Sequence, residues 1–238
     1  MRQRGKTKKL MPDLIDIIFS SSEVLALLIP LMIFVFYKPD RTKMRYIIAY
    51  TITAFVLNLI TFLLYVYHSY LPSYLQNNNI LYNLSSFIRV LFFGLYIYHI
   101  KPYRFQIVHK IVFAAYFIYA LVNFTFIQSP FFLSNTFLAA ESIVLLIFCL
   151  FFFLSFMQDD SETNWLRQPS FLICIGICLY ECVIFFIFLF FYALSQKNPS
   201  FGVITLYIYY SVFIILCILL GLALYRSRKN NNETSLNK

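Results

Sequence analysis

Arg89 stands near the middle of Ile80–Ile100, a stretch otherwise long and apolar enough to cross a bilayer. Three acids, Glu23, Glu141 and Glu181, occupy comparable positions inside other apolar stretches. A charge at membrane depth costs roughly 2.5–3.5 kcal/mol on insertion scales, so it needs partners. A guanidinium can offer two parallel N–H groups to one carboxylate. If Arg89 pairs in that way, at least two acids are left over. Each must then hold a proton, reach water in a cavity or meet a ligand. The chemistry these residue types allow is ion pairing, proton uptake or binding of a small polar ligand. The predicted ligand- or proton-binding set is Glu23, Arg89, Glu141 and Glu181, with Asn58, Tyr82 and Tyr96 beside them. The alternative is a purely structural ion-pair core that fixes helix register.

Helices must position these groups. Residues seven apart on a helix lie about 20° apart around its axis, and residues three or four apart lie within about 60°. The first apolar stretch puts Asp16, Ser20, Glu23 and Pro30 on one face. The second aligns Thr51, Asn58 and Tyr65. The third aligns Tyr82, Ser85, Ser86, Arg89 and Tyr96. The fourth offers Tyr116, Tyr119 and Asn123, and the fifth Ser134 and Glu141. The sixth stacks Cys174, Cys178, Glu181 and Cys182. The seventh carries Tyr207, Tyr210, Ser211, Cys217 and Gly221. Lipid cannot satisfy such stripes, so they are expected to face the bundle interior.

Composition sets the class. The 238 residues are 61% hydrophobic and 12% charged, with 29 Phe and 19 Tyr. A soluble domain could not hide that much apolar surface, so the expected fold is an all-α integral membrane bundle. Seven spans are expected at about 14–37, 46–67, 80–100, 105–127, 132–157, 170–194 and 203–225, each long enough for a core of about 30 Å. They form one domain, 14–225, between a basic N-terminal tail, 1–13, and a basic cytoplasmic tail, 226–238. Asp16 and Glu23 interrupt the first apolar run and no small-residue cleavage site follows, so it reads as a retained span.

The net charge of +9 lies in tails and short connections, which points to membrane orientation rather than to nucleic acid. Lys and Arg gather after spans 1, 3 and 5 and in the C-terminal tail, whereas the connections after spans 2, 4 and 6 hold only Lys197. The C-terminus is therefore expected in the cytoplasm and the N-terminus outside, in a bacterial plasma membrane. The basic residues within 1–10 disagree with this orientation, and a native start at Met11 would remove them. The five cysteines all fall inside spans and read as small apolar fillers. Cys174, Cys178 and Cys182 lack a nearby histidine, so no metal is expected. His68, His99 and His109 sit near span ends, where interfacial or solvated positions are expected. Asn83-Leu-Ser85 and Asn123-Phe-Thr125 match a glycosylation pattern but fall in or beside spans. No phosphate-cradling loop, catalytic triad or metalloenzyme motif occurs. The chain is thus not expected to be an enzyme or to carry a cofactor; its expected partner is the lipid bilayer.

The first and last three spans resemble each other. Ser22-Glu23-Val24 lies over Ala140-Glu141-Ser142, Asn58 meets Glu181, and Gly94…Tyr98-His99 parallels Gly221…Tyr225-Arg226. With the fourth span as connector, this is a 3+1+3 arrangement of parallel repeats. Leu216 or a neighbour then stands where the first half has Arg89.

Several seven-helix families do not fit. Microbial rhodopsins hold retinal on a lysine in the seventh helix, and there is none here. G-protein-coupled receptors carry an acid-Arg-aromatic motif where this chain has Tyr98-His99-Ile100. The adiponectin-receptor and ceramidase type needs intramembrane His and Asp residues, and the SWEET transporters need a proline-glutamine signature. Pro169-x-Phe171-x-Ile173-x-x-Gly176-x-x-x-Tyr180, entering span 6, and Gly221…Tyr225-Arg226, leaving span 7, carry a different resemblance. The chain resembles small bacterial seven-helix membrane proteins similar to the membrane sensor module of some histidine kinases. That resemblance implies a sensor- or receptor-like protein. With no kinase part in the chain, its output would pass to a separate cytoplasmic signalling protein. A small transporter using the same polar core, or a membrane scaffold, are the alternatives.

Overall fold

The computed structural model describes residues 14–72, 78–100, 106–129, 131–132, 134–158, 167–195 and 199–236; the side chains of 14–20, 69, 191–200, 202–203 and 229–236 fall outside that description. The N-terminal tail, with the Met11 question, and the side chain of Asp16 therefore lie outside the described residues. Seven long helices run through the described residues: α1 (Leu14–Tyr37), α2 (Arg41–Val66), α3 (Asn79–Ile100), α4 (Gln106–Val122), α5 (Asn135–Met157), α6 (Pro169–Ser195) and α7 (Pro199–Leu236). No strand occurs among them. Six segments are long and apolar enough to cross a membrane: Arg41–Val66, Asn79–Ile100, Gln106–Ile127, Asn135–Met157, Pro169–Phe190 and Ile204–Arg228. In α1 the described part, Ser21–Tyr37, is apolar as well. The chain is an all-α, multi-pass membrane protein.

Helix ends differ from the sequence expectation where side chains cap them. α2 starts at Arg41 rather than Tyr46 because Asp40 is an N-cap. Its carboxylate accepts from Thr42 N at 3.0 Å and Lys43 N at 3.3 Å. The Lys38-Pro39-Asp40 turn that delivers the cap holds Lys38 at φ 47°. The Asp40 amide also donates to Ser227 Oγ at 3.3 Å, which ties this turn to α7. Asp40→Ala should cost about 1 kcal/mol and lower the thermal midpoint of the purified protein in detergent. α5 starts at Asn135 rather than Phe132, because Ser134 caps it by accepting from Phe137 N at 3.3 Å. α4 ends in a π-helical turn, Asn123–Ile127, and Asn123 Nδ2 donates to the capping Ser134 Oγ at 3.3 Å. α7 continues as one helix to Leu236, through residues the sequence reading set apart as a tail.

The packing order is a ring. α1 lies between α7 and α2, α2 between α1 and α3, α3 between α2 and α5, and α6 between α5 and α7. α4 stands outside the ring, against α5 and, more lightly, α3. Lipid is as apolar as leucine, so the ring is held by close contact and buried polar groups rather than by exclusion of water between helices. Glycines supply that contact. A Cβ at Gly94 would lie 2.5 Å from Phe113 on α4 and 3.1 Å from Phe148 on α5. A Cβ at Gly221 would lie 2.8 Å from Ile33 and 3.4 Å from Ile29 on α1, beside Pro30.

At the Lys/Arg-poor end, amides stitch the connections together. Asn83 Nδ2 donates to Phe132 O at 2.9 Å and Asn79 Nδ2 to Phe131 O at 3.2 Å, joining α3 to the α4–α5 connection. At the basic end His99 is exposed and within 3.2 Å of the Tyr46 hydroxyl. His68 is exposed too. His109 departs from the expectation of an interfacial or solvated ring. It is buried and stacked on Phe148 with centroids 3.7 Å apart, because α4 packs this face against α5.

Candidate functional site

α3 delivers Arg89 to the inner face of the ring, between α5 and α6. Glu141 comes from one side and Glu181 from the other, and both are 0% exposed. Arg89 Nη1 lies 3.1 Å from Glu141 Oε1 and 3.8 Å from Glu181 Oε1. The expected bidentate pair with a single carboxylate is therefore replaced by one nitrogen shared between two. The physical reason is the ring itself. α5 and α6 each present a glutamate to the same gap, and the guanidinium enters between them. Its carbon sits 4.9 Å from the centre of the Tyr180 ring, a cation–π contact from the residue preceding Glu181. Ser142, next to Glu141, ties α5 to the second acid: its hydroxyl lies 2.8 Å from Glu181 Oε2 and 3.3 Å from Leu138 O. The hydroxyl has one proton, and the shorter contact to the carboxylate takes it.

The set is not saturated. Arg89 Nε, both Glu141 oxygens, Glu181 Oε1 and Ser86 Oγ are buried without hydrogen-bond geometry to any described group. Ser86 adjoins both Glu141 and Tyr116 without completing a bond. One guanidinium facing two carboxylates leaves one negative charge to be met by a proton or by a cation.

Above Arg89, toward the Lys/Arg-poor end, the ring surrounds a half-open cavity of ≈ 210 Å³. Glu23 of α1, Asn58 of α2, Tyr82 and Ser85 of α3, and Tyr209 and Tyr210 of α7 line it, with Arg89 and Tyr180 at its floor. Glu23 is only 8% exposed and is hydrogen-bonded by Tyr209. Arg89 itself is 7% exposed. Of the sequence-predicted residues, Arg89, Glu141 and Glu181 meet in one cluster. Glu23, Asn58 and Tyr82 join Arg89 around the cavity. Tyr96 does not: it is buried nearer the basic end, where its hydroxyl reaches Met44 Sδ at 3.9 Å.

Several residues of the site were not foreseen: Tyr50, Tyr180 and Tyr209 on the cavity wall, and Ser142 beside the cluster. On α7 the sequence favoured a stripe with Tyr207 and Ser211. Both are exposed, and Ser211 donates back to Tyr207 O at 2.8 Å, so neither requires the interior. Cys182 likewise points outward, whereas Cys174 and Glu181 point in. The neighbouring glutamates were the only available signal for Tyr180 and Ser142, each adjacent to one in the chain. The described residues hold no His/Cys/Asp/Glu group arranged for a metal ion.

A histidine-kinase likeness finds no support outside the chain's own residues; the likeness that stands is to a generic multi-span helical architecture. Comparison with protein-family models, curated proteins and solved structures found no match.

Proposed function

We propose a sensor- or receptor-like membrane protein in which a small ligand or a proton enters the cavity and acts on the Arg89 cluster. The observation that carries this reading is the double engagement of Arg89. Its Nη1 is shared by a glutamate of α5 and one of α6, while the same side chain forms part of the cavity floor. A proton or ligand arriving there changes which carboxylate holds the guanidinium. That choice alters the tie between α5 and α6, and α6 packs along α7. The proposed output runs through α6 and α7 to a separate cytoplasmic protein, without a catalytic step. A change at the cluster needs differential affinity for two arrangements, and two competing carboxylates supply it.

The proposed topology has seven spans, with the cavity end outside and the basic end in the cytoplasm. It also includes the 3+1+3 repeat, which the glycine contacts support. Glu23 and Glu141 coincide in the repeat, and Pro30 and Phe148 each follow seven residues later. Gly94 of α3 meets Phe148 of α5, and Gly221 of α7 meets Pro30 of α1. The two contacts are equivalents of one another. So are Tyr82 and Tyr209, which both line the cavity. In the proposed repeat, half a turn of the ring α1-α2-α3-α5-α6-α7 would carry each helix onto its counterpart.

This quasi-symmetry favours a second reading, a small transporter alternating around the same core. Proteoliposomes separate the two. The sensor reading expects pH or small polar solutes to shift the thermal midpoint of the purified protein, with no solute or proton flux. Flux through the parent protein that Arg89→Met abolishes would replace it with the transporter. A midpoint indifferent to pH and to every solute, in protein that co-purifies with a partner, would leave only a scaffold.

A further inference from the structure

The charges around the cavity do not balance, and the imbalance has a sign. Arg89 is turned toward Glu141 and Glu181 beneath the cavity floor. Glu23 stands on the α1 wall, and among the described residues no cation lies within ion-pair distance of it. Its partner is the Tyr209 hydroxyl, and Tyr82 and Tyr210 lie near the same carboxyl. A nearly buried carboxylate among tyrosine rings is a site for a cation: the ring faces attract positive charge and the carboxylate pairs with it. The Tyr, Ser85 and Asn58 oxygens can accept N–H donors. Leu138 of α5, Phe188 of α6 and Phe213 of α7 add apolar surface to the same space, with Asn135 and Thr205 among them. Of the charged groups only Glu23 and Arg89 line the cavity, and Arg89 is turned through Nη1 toward Glu141 and Glu181, which leaves Glu23 as the charge an entering ion meets on the α1 wall.

We propose that the cavity binds a small primary or secondary organic ammonium ion with an apolar tail. The ammonium lies at Glu23 and the tyrosines, and the tail lies toward Leu138, Phe188 and Phe213. This deepens the cavity reading given above and rests on it. Size agrees: a cavity of about 150 Å³ holds benzene, so ≈ 210 Å³ accommodates about eight or nine non-hydrogen atoms.

Three probes of similar shape test the charge: phenethylammonium, 2-phenylethanol and 3-phenylpropanoate. Each is titrated calorimetrically into the full chain in nanodiscs at neutral pH, with empty nanodiscs subtracted. Phenethylammonium should bind at least about tenfold more tightly than the alcohol, and the carboxylate should be weakest. Glu23→Gln should bring the amine down to the alcohol's affinity. Tyr209→Phe, which keeps the ring and its packing, should weaken the amine severalfold and leave the alcohol unchanged. Equal binding of amine and alcohol, unaffected by Glu23→Gln, would overturn the ammonium assignment and leave the cavity standing. Preferential binding of 3-phenylpropanoate would do the same. If none of the three binds to folded parent protein and the midpoint ignores pH and solutes as well, the cavity reading fails with it.

Discussion

Arg89→Ala should cost about 3–5 kcal/mol and leave little folded protein after extraction. The size of the effect follows from what remains. Glu141 and Glu181 are both fully buried, and Arg89 is the cation that faces them. Removing it strands two carboxyls in a gap that also loses the guanidinium's contact with Tyr180. The loss is that of an uncompensated charge, more than that of a favourable bond. A triple replacement separates the two: Arg89→Met with Glu141→Leu and Glu181→Leu removes every charge together. Apolar substitution of a whole buried cluster is often neutral or stabilising, so this variant should fold about as well as the parent. In the proposed repeat the counterpart of Arg89 is an apolar side chain, Leu216 of α7, which is itself buried. The triple variant should lose the part of the midpoint's pH response that the cluster supplies, while Glu23 and the tyrosines of the cavity remain in place. Folded yields and midpoints in one detergent, for the parent, single and triple variants, check both statements.

Gly94→Leu is expected to be the next most damaging single change. Its Cβ alone would come within 2.5 Å of Phe113 Cε2 and 3.1 Å of Phe148 Cε2. Phe113 is the far end of a partly buried ring and can yield to one methyl group. Phe148 cannot: it is fully buried and stacked against His109. Gly94→Ala should therefore be tolerated at about 1 kcal/mol, while a leucine has to push α4 off the ring at about 3 kcal/mol. Gly221→Ala should be milder again, because the nearest atom is the flexible Cδ1 of Ile33. A graded fall in midpoint, smallest for Gly221→Ala and largest for Gly94→Leu, is the expected result. Equal midpoints across the series would mean that these contacts do not hold the ring.

Continuous apolar runs of about twenty residues, nearly free of charge, fit membrane helices rather than the alternating strands of a barrel, so the all-α multi-pass class was legible in the sequence. Helix ends were legible only in part. Pro39-Asp40 reads as a turn from composition, but the same aspartate also caps α2. The deeper difficulty is which way each helix faces. In water, the apolar face of a helix is its buried face. In lipid both faces are apolar, and only polar residues mark the interior. Arg89, Glu141 and Glu181 are such marks and could be read. Tyr209 and Tyr50 could not, because tyrosine is common at membrane interfaces and this chain has 19 of them. Tyr207 shows the opposite error, a tyrosine assigned to the interior that faces outward. Sharing of one arginine nitrogen between two acids was also out of reach, since it depends on the ring bringing α6, which lies beyond α5, within reach of a side chain on α3.

The polar core opens as a cavity toward the Lys/Arg-poor end. Ser85 lines that cavity close to Arg89. The most direct measurement is modification of Ser85→Cys in sealed cells by a membrane-impermeant thiol reagent. The parent protein serves as the blank, since its five cysteines all lie within the helices. Labelling from the outside that cationic reagents accomplish faster than anionic ones, with the parent unlabelled, is the predicted result. A cysteine at position 85 that stays inert in folded protein would contradict the account and leave the Arg89 cluster as a sealed structural core.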